Sequence, residues 1–458
     1  MALTQVIERM FRRYLPSPFT IAILLTMLTM VLAFCFTENR SEGSHIVAIL
    51  SYWEDGVWNN GLLVFAYQMM LILVLGHVLV LSKPMERLIL RITKLVTSTS
   101  NAAVLVALPT MLVAFFNWGL GLIFGAILAR KVGEFAQANN IPINYPLVGA
   151  AGYGGLMIWH GGISGSAPIK VSEAGHLREL MQNVSDNALF DQLPELISTS
   201  STVFNPWNLA LFVLVVTAIT LTVYYLGKKA KPTVMNLKEY KFQSIQKENL
   251  EGAEKLDYSR IAASIFGILI LLTFLIQYFP ALRKLNITPN MLNFFMLGLA
   301  IILHGSFKSF LNAIEEAIGD TTGILIQFPL YFGIMGIMAN SGMINGISDF
   351  FVSISTETTL PIFTFLSAGL VNIFVPSGGG QWAVQGPLVL ESALQLGVPL
   401  PKAIMALAYG DQVTNMLQPF WALPLLGITK LKAKEILPYT LIFMFVGSLI
   451  YIAGLLIW

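Results

Sequence analysis

Four short runs of glycine, proline and polar residues interrupt apolar stretches of this chain, and they are where ions or a small anion could be held. The first is Asn117-Trp118-Gly119-Leu120-Gly121, and the second is Trp159-His160-Gly161-Gly162-Ile163-Ser164-Gly165-Ser166-Ala167-Pro168. The third is Pro376-Ser377-Gly378-Gly379-Gly380-Gln381-Trp382, and the fourth is Tyr409-Gly410-Asp411-Gln412-Val413-Thr414-Asn415 with Gln418-Pro419. Glycine lets the backbone turn where other residues resist. A turn at membrane depth frees N–H groups at the start of a half-helix, and those donors suit a carboxylate. Free carbonyls at the opposite ends suit Na+ or a protonated group. On this chemistry the substrate-binding candidates are Asn117, Trp118, Gly162, Ser164, Gly165, Ser166, Ser377, Gly378, Gly379, Gly380, Trp382, Asn415 and Gln418. Asp411 stands apart. A charge at mid-depth costs about 2.5–3.5 kcal/mol on insertion scales, so such residues face cavities and mark ion or proton paths. Asp411, Asn372, Asn117 and His160 are the candidates for a coupling ion, H+ or Na+.

Plainer readings compete at each position. Gly121-x-x-x-Gly125 fits helix packing as well as binding. Trp159 and Trp382 fit a cavity wall or a packed interface, His160 fits a structural hydrogen bond, and His77 and His304 read as structural. Enzyme motifs are missing. Gly162-Ile163-Ser164-Gly165-Ser166 lacks the closing glycine of a nucleophile elbow, and neither a P-loop nor an H-E-x-x-H string occurs. Cys35 is the only cysteine, which excludes intrachain disulfides and cysteine-cluster metal sites. No enzymatic activity, cofactor or resident metal is expected.

The elements that must position these residues are membrane helices. Of 458 residues, 55% are hydrophobic and 11% charged, with mean hydropathy +0.71; soluble domains carry roughly 25% charged residues. A hydrocarbon core needs about 20 apolar residues per helical span, and such stretches recur from end to end. The reading is an all-α polytopic membrane protein. A formal charge of +2 gives no argument for nucleic acid. Spans are expected near 19–36, 61–82, 144–168, 205–227, 259–278, 288–305, 321–340, 401–427 and 436–457. The stretches 101–129 and 360–394 are too long for one straight span and have Gly/Pro/Asn-rich middles. Free backbone groups are tolerated in a bilayer only where they line protein or a water cavity, so both read as re-entrant hairpins. Met1 to Tyr14 reads as an interfacial helix, and Phe19–Phe36 as a retained span rather than a cleaved signal.

Basic residues set the orientation. With the N-terminus inside and two hairpins that do not cross, 21 of the 27 Lys and Arg fall inside and 6 outside. The chain then divides into 1–60, with the interfacial helix and first span, a first half 61–227, a cytoplasmic linker 228–258 and a second half 259–458. The halves echo each other: Gln68 answers Gln327, Asn117 answers Asn372, and Tyr153 answers Tyr409. Each reads as span, hairpin and broken span (144–168 and 401–427), with opposite orientation in the membrane. Inverted repeats with broken helices are the architecture of secondary transporters.

Several strings carry a family resemblance. They are Asn117-Trp118-Gly119, Gly162-x-Ser164-Gly165-Ser166, Val375-Pro376-Ser377-Gly378-Gly379-Gly380-x-Trp382 with Gln385-Gly386-Pro387, and Ala408-Tyr409-Gly410 followed by Gln418-Pro419-Phe420-Trp421. In these the chain resembles the bacterial short-chain fatty acid transporters, which are encoded beside acetoacetate and butyrate degradation enzymes. The similarity runs from about Tyr14 to the C-terminus. Asp411 stands where the family usually carries Glu, and His160 where it usually carries Gly. The resemblance implies a scaffold and a moving, elevator-like transport domain drawn mostly from 61–168 and 321–427. It also implies a homodimer in the bacterial inner membrane. The expected activity is secondary transport of short-chain monocarboxylates such as acetoacetate or butyrate, by H+ or Na+ symport. The alternatives are a di- or tricarboxylate or other anion carrier of the same group, or a cation channel or antiporter.

Overall fold

The computed structural model describes residues 16–39, 43–181, 191–233, 236–237, 252–283 and 288–458. The expected interfacial helix at Met1–Tyr14 and the linker stretch 238–251 lie outside the described residues. The described residues form helices and turns without a strand.

Among the described residues, seven helices are long and apolar enough to cross a membrane: Pro18–Phe36, His45–Leu79, Thr99–Phe116, Pro206–Lys229, Arg260–Arg283, Thr322–Asn340 and Ala433–Ile457. An eighth follows if Pro289–His304 is joined to Phe307–Ala317, although the two are bent by 120°. Local chemistry sets several starts. The Asn205 side chain accepts from the Trp207 N–H and Thr288 accepts from the Met291 N–H, each with proline in the first turn; proline there costs no helical hydrogen bond. Arg260–Arg283 turns Ile261, Ile265, Leu269, Leu272 and Ile276 outward, where lipid rather than water must cover them.

Apolar runs alone do not reveal the helix His45–Val57. Glu54 and Asp55 break the hydropathy there, yet the helix packs closely on Thr322–Asn340. The crossing depends on glycine: a Cβ at Gly56 would strike the Phe332 carbonyl, and one at Gly333 would lie 2.5 Å from the Trp53 ring. The short helices Lys83–Thr93 and Met343–Ser353 are likewise invisible to a 20-residue apolar window.

Both long interrupted stretches fold as helix–turn–helix. Thr99–Phe116 and Trp118–Ala138 meet at Asn117, packed so tightly that a Cβ on Gly121 would lie 2.5 Å from Ala114. Gly125 abuts the Gly152 carbonyl of the next helix. Both glycines of Gly121-x-x-x-Gly125 are packing contacts. The second arm runs past the apolar stretch, because Glu134 offsets the buried Arg130 (2.6 Å) and pairs with Lys131 (2.8 Å). Leu360–Phe374 and Gly378–Gln395 form the second pair of arms. The broken segments follow. Tyr145–Tyr153 passes into a 3-10 turn at Gly154–Met157, irregular turns and the short helix Ser166–Lys170. Leu400–Thr414 passes into a 3-10 turn at Asn415–Leu417 and then Pro419–Thr429.

Candidate functional site

The hairpin tips are built by capping. Asn117 Oδ1 accepts from the Leu120 N–H (2.9 Å), and Ser377 Oγ accepts from the Gly380 N–H (3.2 Å). In capping terms the counterpart of Asn117 is therefore Ser377, and Asn372 does something else. Buried in the first arm of hairpin two, Asn372 shares its amide hydrogens among the Asp411 carbonyl (2.9 Å), Thr414 Oγ1 (3.0 Å) and Asn415 Oδ1 (2.8 Å). Gln418 Nε2 returns the tie, donating to the Asn372 and Ile373 carbonyls at 2.9 and 2.8 Å. Asn372, Asn415 and Gln418 thus fasten hairpin two to the second broken helix.

The second run is fastened to hairpin one. The Trp118 N–H donates to Ser164 Oγ (2.9 Å) and the Ile163 N–H to the Phe115 carbonyl (2.8 Å). Gly162 and Gly165 have no room for a side chain, since a Cβ would strike the Phe115 and His160 carbonyls respectively. Bonds between the halves lock the assembly. Gln412 Oε1 accepts from the His160 and Gly161 N–H groups at 2.9 and 3.1 Å. Tyr153 Oη donates to the Asn415 carbonyl (2.9 Å), and Tyr409 Oη to Asn208 Oδ1 (2.8 Å).

At the centre His160 Nδ1 meets Asp411 Oδ2, both side chains almost wholly buried. His160 Nε2 accepts the Ala167 N–H (3.1 Å). Because Nε2 accepts, the ring hydrogen belongs on Nδ1 and points at the carboxylate. Asp411 Oδ1 and Asn372 Oδ1 have no partner, and among the described residues no lysine or arginine pairs with Asp411. The chain thus gives this buried carboxylate an imidazole contact on one oxygen and leaves the other without a partner.

The tip of hairpin two lies against this couple. A Cβ on Gly378 would sit 2.7 Å from the Trp159 ring and 2.9 Å from His160 Cε1. On Gly379 it would meet only Ser166 Oγ, at 3.9 Å. The N–H groups of Gly378 and Gly379 are in the first turn of an 18-residue helix and have no acceptor among the described residues. Trp159 Nε1 is buried without a partner. Trp118, Trp159, Trp421 and Phe65 form one aromatic wall, with ring centroids 5.0–6.3 Å apart. Free N–H donors, two hydroxyls (Ser166, Ser377) and aromatic faces suit a single carboxylate with a small apolar tail.

Trp382 is placed elsewhere. Its indole N–H donates to His176 Nε2 (3.0 Å), in an apolar cluster with Ala167, Val171, Leu177, Met181, Leu193 and Ile197. Burial, then the nearby Lys170, lowers the pKa of His176, with Glu173 and Glu179 opposing. A groove of about 930 Å3 lies between Asn60–Val80, Arg260–Arg283 and Pro289–His304 and touches none of the four runs. Sequence reasoning missed Gln412 and Asn208. Asn208 carried a signal, a polar amide early in an apolar span, and Gln412 stands beside Asp411 in the fourth run.

The model for short chain fatty acid transporters matches residues 1–458. An Escherichia coli K12 protein provisionally named a short-chain fatty acid transporter is 34% identical, over 99% of this chain and 98% of its own. A Haemophilus influenzae Rd protein of the same name is 34% identical, over 97% and 96%. Two solved structures align weakly. Neisseria gonorrhoeae MtrF, described in terms of antimetabolite efflux pumps, gives TM-score 0.41 at 15% identity over 98% of this chain and 97% of its own. The Alcanivorax borkumensis YdaH transporter gives 0.45 at 12% over 97% and 98%. Neither score supports a residue correspondence.

Proposed function

Because the chain belongs to the short-chain fatty acid transporter family, we propose that it carries short-chain monocarboxylates, such as butyrate or acetoacetate, across the bacterial inner membrane by ion symport. The carboxylate sits against the Gly378 and Gly379 N–H groups, helped by the Ser377 and Ser166 hydroxyls, with its alkyl tail on Trp159 and Trp118. Asp411 serves the coupling ion, H+ or Na+. The hairpins and broken helices move together as an elevator-like unit against the outer spans, in a homodimer.

One observation carries this reading: partnerless N–H donors, two hydroxyls and an aromatic wall converge beside a buried, uncompensated carboxylate. The four runs hold no lysine or arginine, which favours one negative charge on the substrate over two or three. The repulsion between substrate and Asp411 supplies the coupling. Two unit charges about 5 Å apart interact by roughly 3 kcal/mol at an effective dielectric of 20. A cation or proton on Asp411 removes that cost, so substrate and ion favour each other's binding. The test is uptake of labelled butyrate into proteoliposomes with pH and Na+ gradients imposed separately. Ion flux indifferent to carboxylates would leave only the channel or antiporter reading.

A further inference from the structure

We propose that the coupling ion is a proton, and that the His160–Asp411 couple is its carrier; this rests on the reading of a carboxylate at the tip of hairpin two. The ring of His160 joins the two halves of the molecule through Nδ1, while Nε2 fixes it to its own broken helix. Nδ1 contacts Asp411 Oδ2 on the second broken helix, and Nε2 accepts the Ala167 N–H on the first. Both nitrogens are thereby assigned: the hydrogen is on Nδ1, and the Nε2 lone pair is in use.

The loading proton goes to Asp411 Oδ1, the buried carboxylate oxygen left without a partner. The couple then changes from one net negative charge to none, and both hydrogen bonds of the imidazole persist. A metal cation fits the same atoms poorly. A hard cation gathers several oxygens around it, whereas the imidazole N–H already occupies Oδ2. Of the other unpaired buried atoms on the adjoining segments, Asn372 Oδ1 is an acceptor but Asn415 Nδ2 and Trp159 Nε1 are donors.

The surroundings leave the couple as the group that titrates. Gly378 and Trp159 press on the ring, and Gln412 holds the His160 and Gly161 N–H groups. The ionisable neighbours are phenols: Tyr409 through Asn208 to Gly161, Tyr153 on the Asn415 carbonyl, and Tyr451 on the Met157 carbonyl. Phenols stay neutral below about pH 10. Because a Cβ on Gly378 would touch His160, a carboxylate bound to the Gly378 and Gly379 N–H groups lies beside the couple and senses its charge.

The experiment counts protons. Calorimetric titration of the full-length protein in detergent with sodium butyrate, in buffers of differing ionisation enthalpy between pH 6 and 8, gives protons taken up per butyrate bound. Butyrate is ionised throughout that range, since ordinary carboxylic acids titrate near about 4, so uptake belongs to the protein. A coupling of roughly 3 kcal/mol moves the titration by about two pH units, so the expected count rises to most of one proton at the middle of that window and falls on either side, with apparent affinity tightening by up to about tenfold per pH unit lowered there. Asp411→Asn takes up none, and His160→Gln moves the pH at which uptake occurs. The wild-type count stands whether or not the variants fold. Butyrate binding with no proton uptake, or binding that follows Na+ at fixed pH, overturns the inference and leaves the transport reading intact. No butyrate binding at any pH or Na+ concentration overturns both.

Discussion

Adjacent glycines at the tip of hairpin two should respond in opposite ways to the same added methyl group. At Gly379 the methyl meets no protein atom closer than Ser166 Oγ at 3.9 Å, and the backbone is not left-handed. Gly379→Ala therefore fits the fold. It gains up to roughly 0.5–1 kcal/mol of stability, because alanine has less backbone freedom to lose than glycine. The same methyl fills the space between the free N–H groups and Ser166, where the carboxylate is proposed to lie. Losing one hydrogen bond to a charged group costs about 1.5–3 kcal/mol, which is roughly 10- to 100-fold in affinity. Gly378→Ala instead drives the methyl to 2.7 Å from Trp159 and 2.9 Å from His160, two buried rings. Overpacking of that kind costs about 1–3 kcal/mol. Thermal unfolding and butyrate calorimetry on both variants separate the effects. Gly379→Ala should be at least as stable as wild type and bind poorly, while Gly378→Ala should be less stable. A Gly379→Ala protein with wild-type affinity would place the site elsewhere.

Ser377→Ala removes both a cap and a hydroxyl donor, so it should lose about 1 kcal/mol of stability and roughly 10- to 100-fold in butyrate affinity; unchanged affinity in calorimetry refutes the substrate role. The contact of His176 with Trp382 should loosen in acid. The folded-state pKa of His176 is lowered, so its contribution is complete above the ordinary value of 6.5 and is lost as pH falls below it. Cysteine at the buried Leu177, in protein with Cys35 replaced, should react faster at pH 5.5 than at 7.5 when each rate is taken relative to a fully exposed cysteine at the same pH, which removes the change in thiolate fraction, and His176→Gln should remove that difference; equal relative rates in the parent protein contradict the loosening. For orientation, cysteines at the exposed positions Leu95 and Asn139 should label from the cytoplasm, and ones at Thr358 and Gln395 from outside. Labelling of either pair from opposite sides rules out a re-entrant hairpin there.

Local windows of the sequence were enough to establish a helical membrane protein and to mark where its helices break. The apolar run of Pro206–Lys229, its Asn205-Pro206 start and the glycines of the third run each act within a few residues, so hydropathy and backbone freedom suffice to read them. The charged pairs that let Trp118–Ala138 run past its apolar stretch are four residues apart or fewer, yet they escape a window that only counts apolar content. The helix His45–Val57 escapes it too, because its stability comes from a glycine-lined crossing with Thr322–Asn340. The centre of the site lay further out of reach. His160 and Asp411 are 251 residues apart, and Gln412 and His160 252. Nothing local to either partner encodes these pairings. They arise when the broken helices of both halves pack together, excluding water and leaving each buried polar group only the partners the other half supplies. The sequence named Asp411 as a costly charge. Only the packed structure set an imidazole nitrogen against one of its oxygens and left the other without a partner.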